Sequence, residues 1–264
     1  MKITFTTLAY PHLNLEEVLE RAKRFGLDAI ELRVADDGIH LKPQYPVDKR
    51  WLKVIEESNI RVASIAGYAR FSSIDINERR RNEDLLKTLI LMAEELGAKA
   101  IRAYAGRFPD DVESSINRIS ESLNRLADFS DIHGVYIALE THDELTKLEI
   151  LLKLFNKLSP SIKILYDVAN MIMVGEKHEE IFPYIVDKIV HVHIKDFVMR
   201  EGRRVFVRPG KGIVPICRVV KDLKSAGFQG YISIEWEKMW IPDLEDPDIV
   251  IPLYIEFIKR CIEI

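Results

Sequence analysis

Cysteine is nearly absent from this 264-residue chain, which carries only Cys217 and Cys261. Both fall inside helical apolar patterns, which predicts two small core residues and no disulfide framework. No apolar stretch approaches the roughly 20 residues needed to cross a bilayer. The opening Met1-Lys-Ile-Thr-Phe-Thr runs straight into a strand pattern, without the long apolar segment of a signal peptide. A cytoplasmic protein with no membrane partner is the resulting expectation. Neither sign of charge dominates: 38 Lys and Arg stand against 42 Asp and Glu, for a net charge of −4 and a pI near 6.0. That balance gives no electrostatic reason to expect a nucleic-acid partner. Low-complexity tracts and Pro/Gly-rich linkers are also missing, and no Ser-His-Asp or Cys-His nucleophile arrangement can be read. What the chain does have is 47% hydrophobic residues, ample for a large core.

A recurring unit organises the sequence: an amphipathic helix pattern, a glycine at its end, then a strand pattern. It appears at Arg24-Phe-Gly26, Glu95-Leu-Gly97, Ile132-His-Gly134 and Ser225-Ala-Gly227. Glycine just past a helix supplies a left-handed turn without steric cost. Eight strands are expected, at 2–6, 28–33, 61–65, 98–104, 135–140, 162–167, 189–193 and 231–235, alternating with eight helix candidates. That alternation points to an α/β (β/α)₈ TIM barrel, a fold of about 250 residues, as a single domain over residues 1–264. Asn14 with Glu17 resembles a capping box, and Asp48 is a good N-cap for the next helix. A long helix is expected over 77–96, with Leu85, Leu89, Met92 and Leu96 as its apolar stripe. Long loops follow several strands, at 34–47, 67–76, 195–212 and 236–247.

Four successive apolar runs end on potential metal ligands: Val135-Tyr-Ile-Ala-Leu-Glu140, Ile162-Lys-Ile-Leu-Tyr-Asp167, Ile189-Val-His-Val-His193 and Tyr231-Ile-Ser-Ile-Glu235. In a parallel barrel all strands end at one face, so these ligands would converge. Two Glu, one Asp and one His suit manganese, magnesium or cobalt better than a thiolate-type zinc site. His193 and His191 share a strand face; His193 lies nearer the C-terminal end and is the better ligand, while His191 reads as a core or supporting histidine. Arg102 ends a strand and faces either the pocket, where it could hold substrate, or a barrel-core acid. His142 could touch substrate or only shape its loop. Lys195 could polarise a carbonyl or bind a phosphate, against a solvated loop lysine. Glu237, Lys238 and Trp240 could form one wall of the site. Pro209-Gly-Lys-Gly212 lacks the full spacing of a nucleotide loop and reads as a plain turn.

The chain resembles the xylose-isomerase-like barrel superfamily, which includes sugar phosphate isomerases and epimerases, inosose dehydratase, tagatose/psicose 3-epimerase and the apurinic endonuclease barrel. The stretches that carry the likeness are Leu139-Glu-Thr-His142, Tyr166-Asp-Val-Ala-Asn170, His191-Val-His-Ile-Lys-Asp196, Pro209-Gly-Lys-Gly212, Ala226-Gly-Phe-Gln-Gly-Tyr231 and Ser233-Ile-Glu235. The resemblance implies that Glu140, Asp167, His193 and Glu235 bind one divalent metal ion (Mn, Mg, Co or Zn), with Glu140 and Glu235 also catalytic as acid and base. Asn170 stands where family members often carry a substrate-binding or metal-binding histidine. The early strand ends, Ile65-Ala-Gly-Tyr68 and Arg102-Ala-Tyr104, lack the histidines of the endonuclease, which disfavours DNA cleavage.

The expected function is a metal-dependent isomerase or epimerase of carbohydrate metabolism. Its substrate would be a small polyhydroxylated carbonyl compound reacting through an enediolate, with Arg102, His142, Asn170 and Lys195 binding it. A lyase acting on an inosose or 3-dehydroshikimate is the alternative, ahead of an endonuclease or a non-catalytic metal-binding barrel. A homo-oligomer is compatible with this reading.

Overall fold

The structure, a computed structural model, describes residues 1–263. Its strands are β1 (Lys2–Phe5), β2 (Ala29–Arg33), β3 (Arg61–Arg70), β4 (Ala100–Tyr104), β5 (Tyr136–Glu140), β6 (Lys163–Asp167), β7 (Ile189–Ile194), β8 (Asp196–Arg200), β9 (Arg203–Val207) and β10 (Tyr231–Ile234). The helices are α1 (Leu15–Arg24), α2 (Lys49–Ser58), α3 (Ile76–Glu95), α4 (Val112–Ile132), α5 (Leu148–Phe155), α6 (Val168–Met173), α7 (His178–Ile185), α8 (Ile216–Ser225) and α9 (Pro247–Glu263). Eight strands join in the order β1-β10-β7-β6-β5-β4-β3-β2, every pair parallel, and form a nearly closed barrel with helices between them. The expected TIM barrel is therefore present, with β10 as its eighth strand.

Local sequence explains much of this. Asn14 and Glu17 bond reciprocally to each other's backbone as a capping box, and the Asp48 side chain accepts from Arg50 N. Gly26 and Gly97, each just past a helix, sit at φ 69° and 72°, where a β-carbon would be strained. The buried face of α3 includes Leu89 and Met92 as expected, but also Leu86, Ile90 and Ala93. The barrel seam is less regular. Between β1 and β2 the ladder reduces to one bridge, Thr6 to Glu31, and threonine hydroxyls complete it: Thr4 Oγ1 donates to Ala29 O and Arg33 N donates to Thr7 Oγ1.

The two strand faces bury different things. Ile101, Ile137, Ile164 and Val192 join the large core against the helices, each fully buried or nearly so, and burial of such side chains stabilises by about 1.5–3 kcal/mol apiece. The opposite face contributes only a small apolar cluster of Ala100, Ala138 and Leu165. Above it the lumen holds polar groups, among them Glu31, Ser64, Arg102, His191 and His193, all essentially excluded from solvent. Barrel lumens are more often filled by branched aliphatics, so this polar filling marks where the site lies.

Three expectations need correction. β3 does not end at 65 but runs to Arg70, which pairs with Tyr104 and takes up the first part of the expected loop at 67–76. Residues 195–212 are not a plain loop, because β8 and β9 form an antiparallel hairpin in register from Asp196↔Val207 to Arg200↔Arg203. Its two-residue turn, Glu201-Gly202, has both φ angles positive at 49° and 74°, the backbone that matches strand twist in tight hairpins. Cys217 and Cys261 are not two independent core residues: they form a disulfide between α8 and α9, with Cα atoms 4.9 Å apart. Each thiol reads correctly as a helix residue, but only the packing of α8 on α9 brings the pair within bridging range. No helix among the described residues is long and apolar enough to cross a membrane.

The disulfide closes 44 residues of chain. Reduction, or Cys217→Ser, should lower the unfolding free energy by about 2–4 kcal/mol, read as a shift in the denaturant midpoint. Equal midpoints with and without reductant would show that the link is not formed in solution.

Candidate functional site

The C-terminal ends of β5, β6, β7 and β10 bring Glu140, Asp167, His193 and Glu235 together. Each offers one ligand-type atom, and these atoms lie within 4.8 Å of one another in a fully buried cluster. Strand pairing sets the positions, since Asp167 is level with His193 on β7 and Ser233 pairs His193 from β10. His193 Nδ1 lies 3.3 Å from Glu235 Oε1 and 3.8 Å from Glu140 Oε1. His193 Nδ1 and Glu140 Oε2 are buried without a hydrogen bond. Such orphaned polar atoms are rare in a folded interior and mark a place where a further group belongs. Two unpaired ligand-type atoms facing a cluster of hard oxygens and one imidazole fit a divalent cation.

Three cationic groups counter the carboxylates. Lys195 Nζ donates to Asp167 Oδ2 at 2.6 Å and to Glu235, and lies 3.0 Å from Glu237 Oε1. Arg102 Nη1 approaches Glu235 Oε1 at 3.5 Å and Glu140 Oε2 at 3.7 Å, while its Nε donates to Gly67 O. Its guanidinium also lies over the rings of Tyr68 and Tyr104, a favourable cation–π arrangement. The imidazole of His193 is the third. Burial disfavours its charged form, yet Glu31 and Glu235 push its pKa well above the usual histidine value.

The carboxyls respond unequally. Burial would raise Glu235, but Lys195 and His193 hold it well below the usual carboxylate range. Burial likewise opposes ionisation of Glu140, and His193 and Arg102 overcome it. For Asp167 burial wins, and with Glu235 and Glu140 nearby its pKa rises to about 6 despite Lys195.

Around this centre, Asn170 N donates to Asp167 Oδ1, the Asn170 side chain reaches Thr141 O, and Arg204 on β9 donates to Asn170 Oδ1. His142 stands at the barrel mouth, edge-on to Tyr104. There a cleft of about 680 Å³ is lined by Tyr68, Tyr104, His142 and Trp240, among others. Lys238 turns away, its Nζ donating to Pro242 O and Leu244 O. Pro209-Gly-Lys-Gly212 is a structural turn: Gly212 N and Val214 N donate to the buried Asp196 carboxylate. A β-carbon on Gly212 would meet Asp196 Oδ1 at 2.1 Å.

All eight residues expected to act thus lie in or beside one site, His142 at its mouth and Asn170 beside Asp167. Glu31 escaped the sequence reading. It lies on β2 with both oxygens 3.0 Å from His193 Nε2 and one oxygen 3.1 Å from His191 Nε2. The available signal was a lone acid inside the apolar strand Ala29-Ile-Glu-Leu. Arg204 was missed because its strand was read as loop.

Arg102 is a cationic group that approaches both Glu140 and Glu235. Arg102→Met should lower the unfolding free energy of the metal-free protein by about 3–5 kcal/mol, because it leaves buried carboxylates without their countercharge. A urea titration that moved by less than 1 kcal/mol (about a fivefold change in the folding equilibrium) would contradict this account.

The geometry can be set beside known proteins. An inosose dehydratase of Geobacillus thermodenitrificans is 26% identical over 247 residues, covering 81% of this chain and 80% of that protein. The fold superimposes on L-ribulose 3-epimerase with a TM-score of 0.83 at 19% identity, covering 99% of this chain and 94% of that one. It also superimposes on the IOLI protein with a binding zinc atom, with a TM-score of 0.81 at 20% identity over 100% and 98% of the two chains. At such identities these structures speak to fold alone. The match over residues 19–261 is decisive for kinship: the chain belongs to the xylose isomerase-like TIM barrel family.

Proposed function

We propose that the protein is a divalent-metal-dependent isomerase or epimerase acting on a small polyhydroxylated carbonyl compound. The observation that carries this reading is the buried quartet of Glu140, Asp167, His193 and Glu235 with His193 Nδ1 and Glu140 Oε2 unpaired. These four residues would hold one divalent ion. When bound, that ion supplies Lewis-acid stabilisation of the negative charge that develops on a carbonyl oxygen as the adjacent C–H is deprotonated. The structural neighbours, an epimerase and a zinc-bound protein among them, share the barrel fold on which such a site would be built.

The chain's own groups supply the rest. Glu140 and Glu235 flank His193 from β5 and β10, so substrate held between them meets a carboxylate on either side. One takes the proton next to the carbonyl, and the other delivers a proton to the same or the neighbouring carbon of the resulting enediolate. Lys195, anchored to Asp167 and Glu235, places an ammonium where it can bind a substrate oxygen. His193, Lys195 and Arg102 together keep the glutamates ionised. Tyr68, Tyr104, His142 and Trp240 form the walls through which substrate enters, and their aromatic faces suit the C–H faces of a sugar. A dehydratase is the second reading, favoured by the inosose dehydratase relative that spans most of the chain. It uses the same deprotonation but expels a neighbouring hydroxyl instead of returning a proton.

Glu140→Ala, Asp167→Ala or His193→Ala should abolish tight binding of Mn²⁺ or Co²⁺ in calorimetry while the circular dichroism spectrum is unchanged. Glu140→Gln and Glu235→Gln should retain part of the metal affinity and lose roughly 10²–10⁴-fold in turnover. Near wild-type turnover in both Gln variants at full metal occupancy would end the two-glutamate mechanism. Solvent exchange separates the two readings. An isomerase or epimerase run in D₂O should place deuterium on a product C–H carbon. Release of water from an inosose or dehydroshikimate, with an ultraviolet-absorbing product and no conversion of any sugar tested, would decide for the dehydratase.

A further inference from the structure

Glu31 is a fully buried carboxylate in the barrel lumen, and the proposed chemistry gives it no role. A lone buried carboxylate is costly unless it is paired and hydrogen-bonded, and Glu31 is both. His193 Nε2 lies 3.0 Å from each of its oxygens, and His191 Nε2 lies 3.1 Å from Oε2. Ser64 Oγ lies 3.4 Å from the same His191 nitrogen. The Glu31 contacts join residues about 160 positions apart in sequence. They exist because β2 and β7 direct inward-facing side chains into one lumen.

The two nitrogens of His193 therefore have separate tasks. Nε2 is engaged by Glu31, and Nδ1 is the unpaired atom that faces Glu140 and Glu235. Which ring nitrogen can act as a ligand is set by the bond that the other one makes. We infer that Glu31 is a positioning residue that holds the Nε2–H of His193, fixing the ring so that Nδ1 is presented to the metal cluster, with His191 steadying Glu31 as a second donor.

Glu31, His191 and His193 also lie close enough to be considered as a second cation site. The distribution of orphaned atoms argues against that. Both Glu31 oxygens have hydrogen-bond partners, whereas the buried unpaired atoms among the residues of the two groups, His193 Nδ1 and Glu140 Oε2, lie on the quartet's side. The Glu31 side is complete without an ion.

The assignment rests on the metal reading proposed above, and the test separates the two. Histidine-ring ¹⁵N spectra of the metal-free protein should show His193 Nε2 carrying a proton. A bare Nε2 would overturn the assignment whether or not metal binds, and whether or not any variant folds. Glu31→Gln keeps the shape but can accept from only one histidine, and its amide hydrogens oppose the other. Co²⁺ titration should then show affinity weakened about 10–100-fold, with a changed visible spectrum for bound Co²⁺ and an unaltered circular dichroism spectrum. Wild-type affinity and spectrum in Glu31→Gln would overturn the assignment. So would two Co²⁺ per wild-type chain with one lost in the variant, since Glu31 would then be a ligand itself. If the wild-type protein binds no Co²⁺, the metal reading fails, and the ring protonation alone still decides whether Glu31 orients His193.

Discussion

Charge compensation without water is the constraint on which this site depends. Glu31, Glu140, Asp167 and Glu235 are all buried in the upper barrel, and His193, Lys195 and Arg102 are buried with them. Four carboxyls against three cationic groups would leave a negative excess if all were ionised, and the rise of the Asp167 pKa to about 6 is one relief of that excess. A divalent cation held by the quartet would be another. The strands can place ligands accurately because the strain of like charges is taken up by neighbours fixed in the same sheet. Lys195 alone touches Asp167, Glu235 and Glu237. A lysine bridging three acids has little freedom, so the buried acidic cluster is organised before anything binds to it.

Much of the fold was legible because its signals are local. Helix-end glycines, apolar runs and capping residues act within a few positions, and seven of the eight strands follow from them to within two residues at either end, while β3 runs five residues past its expected end. The convergence of the quartet was legible for a related reason: each member closes its own apolar run, and a parallel barrel brings such ends together whatever their sequence separation. The hairpin was not recognised, although Phe197-Val-Met and Val205-Phe-Val flank a Glu-Gly turn, because a strand pair off the main barrel has no place in an eight-unit count. The disulfide and Glu31 lay further out of reach. Each depends on which faces meet across the molecule, and a single acid in an apolar strand does not say what it will find on the far side of the lumen.

The His-x-His-x-Lys-Asp stretch is a compact case of sequence serving several layers at once. His191, His193 and Lys195 alternate inward, supplying in turn a donor to Glu31, a member of the candidate metal-binding cluster and an ammonium beside it. Asp196 breaks the alternation and serves structure: it accepts from Phe197, Gly212 and Val214 backbone groups and ties the hairpin base to the chain that leaves it. The motif is one strand's worth of site followed by its own fastening.

That fastening has a further result through Tyr254. Its phenol oxygen accepts from Asp196 N and donates to Val207 O, so the final helix holds both ends of the hairpin base, while Trp236 packs against Phe206 from the last barrel strand's loop. The tip, from Arg200 to Arg203, stands in solvent. A β-ribbon clamped at its root and loose at its end can lengthen, shorten or change sequence outward of Arg204 without disturbing Lys195. Divergence in this lineage can therefore remodel the tip of the ribbon while Lys195 and Asp196 stay in register.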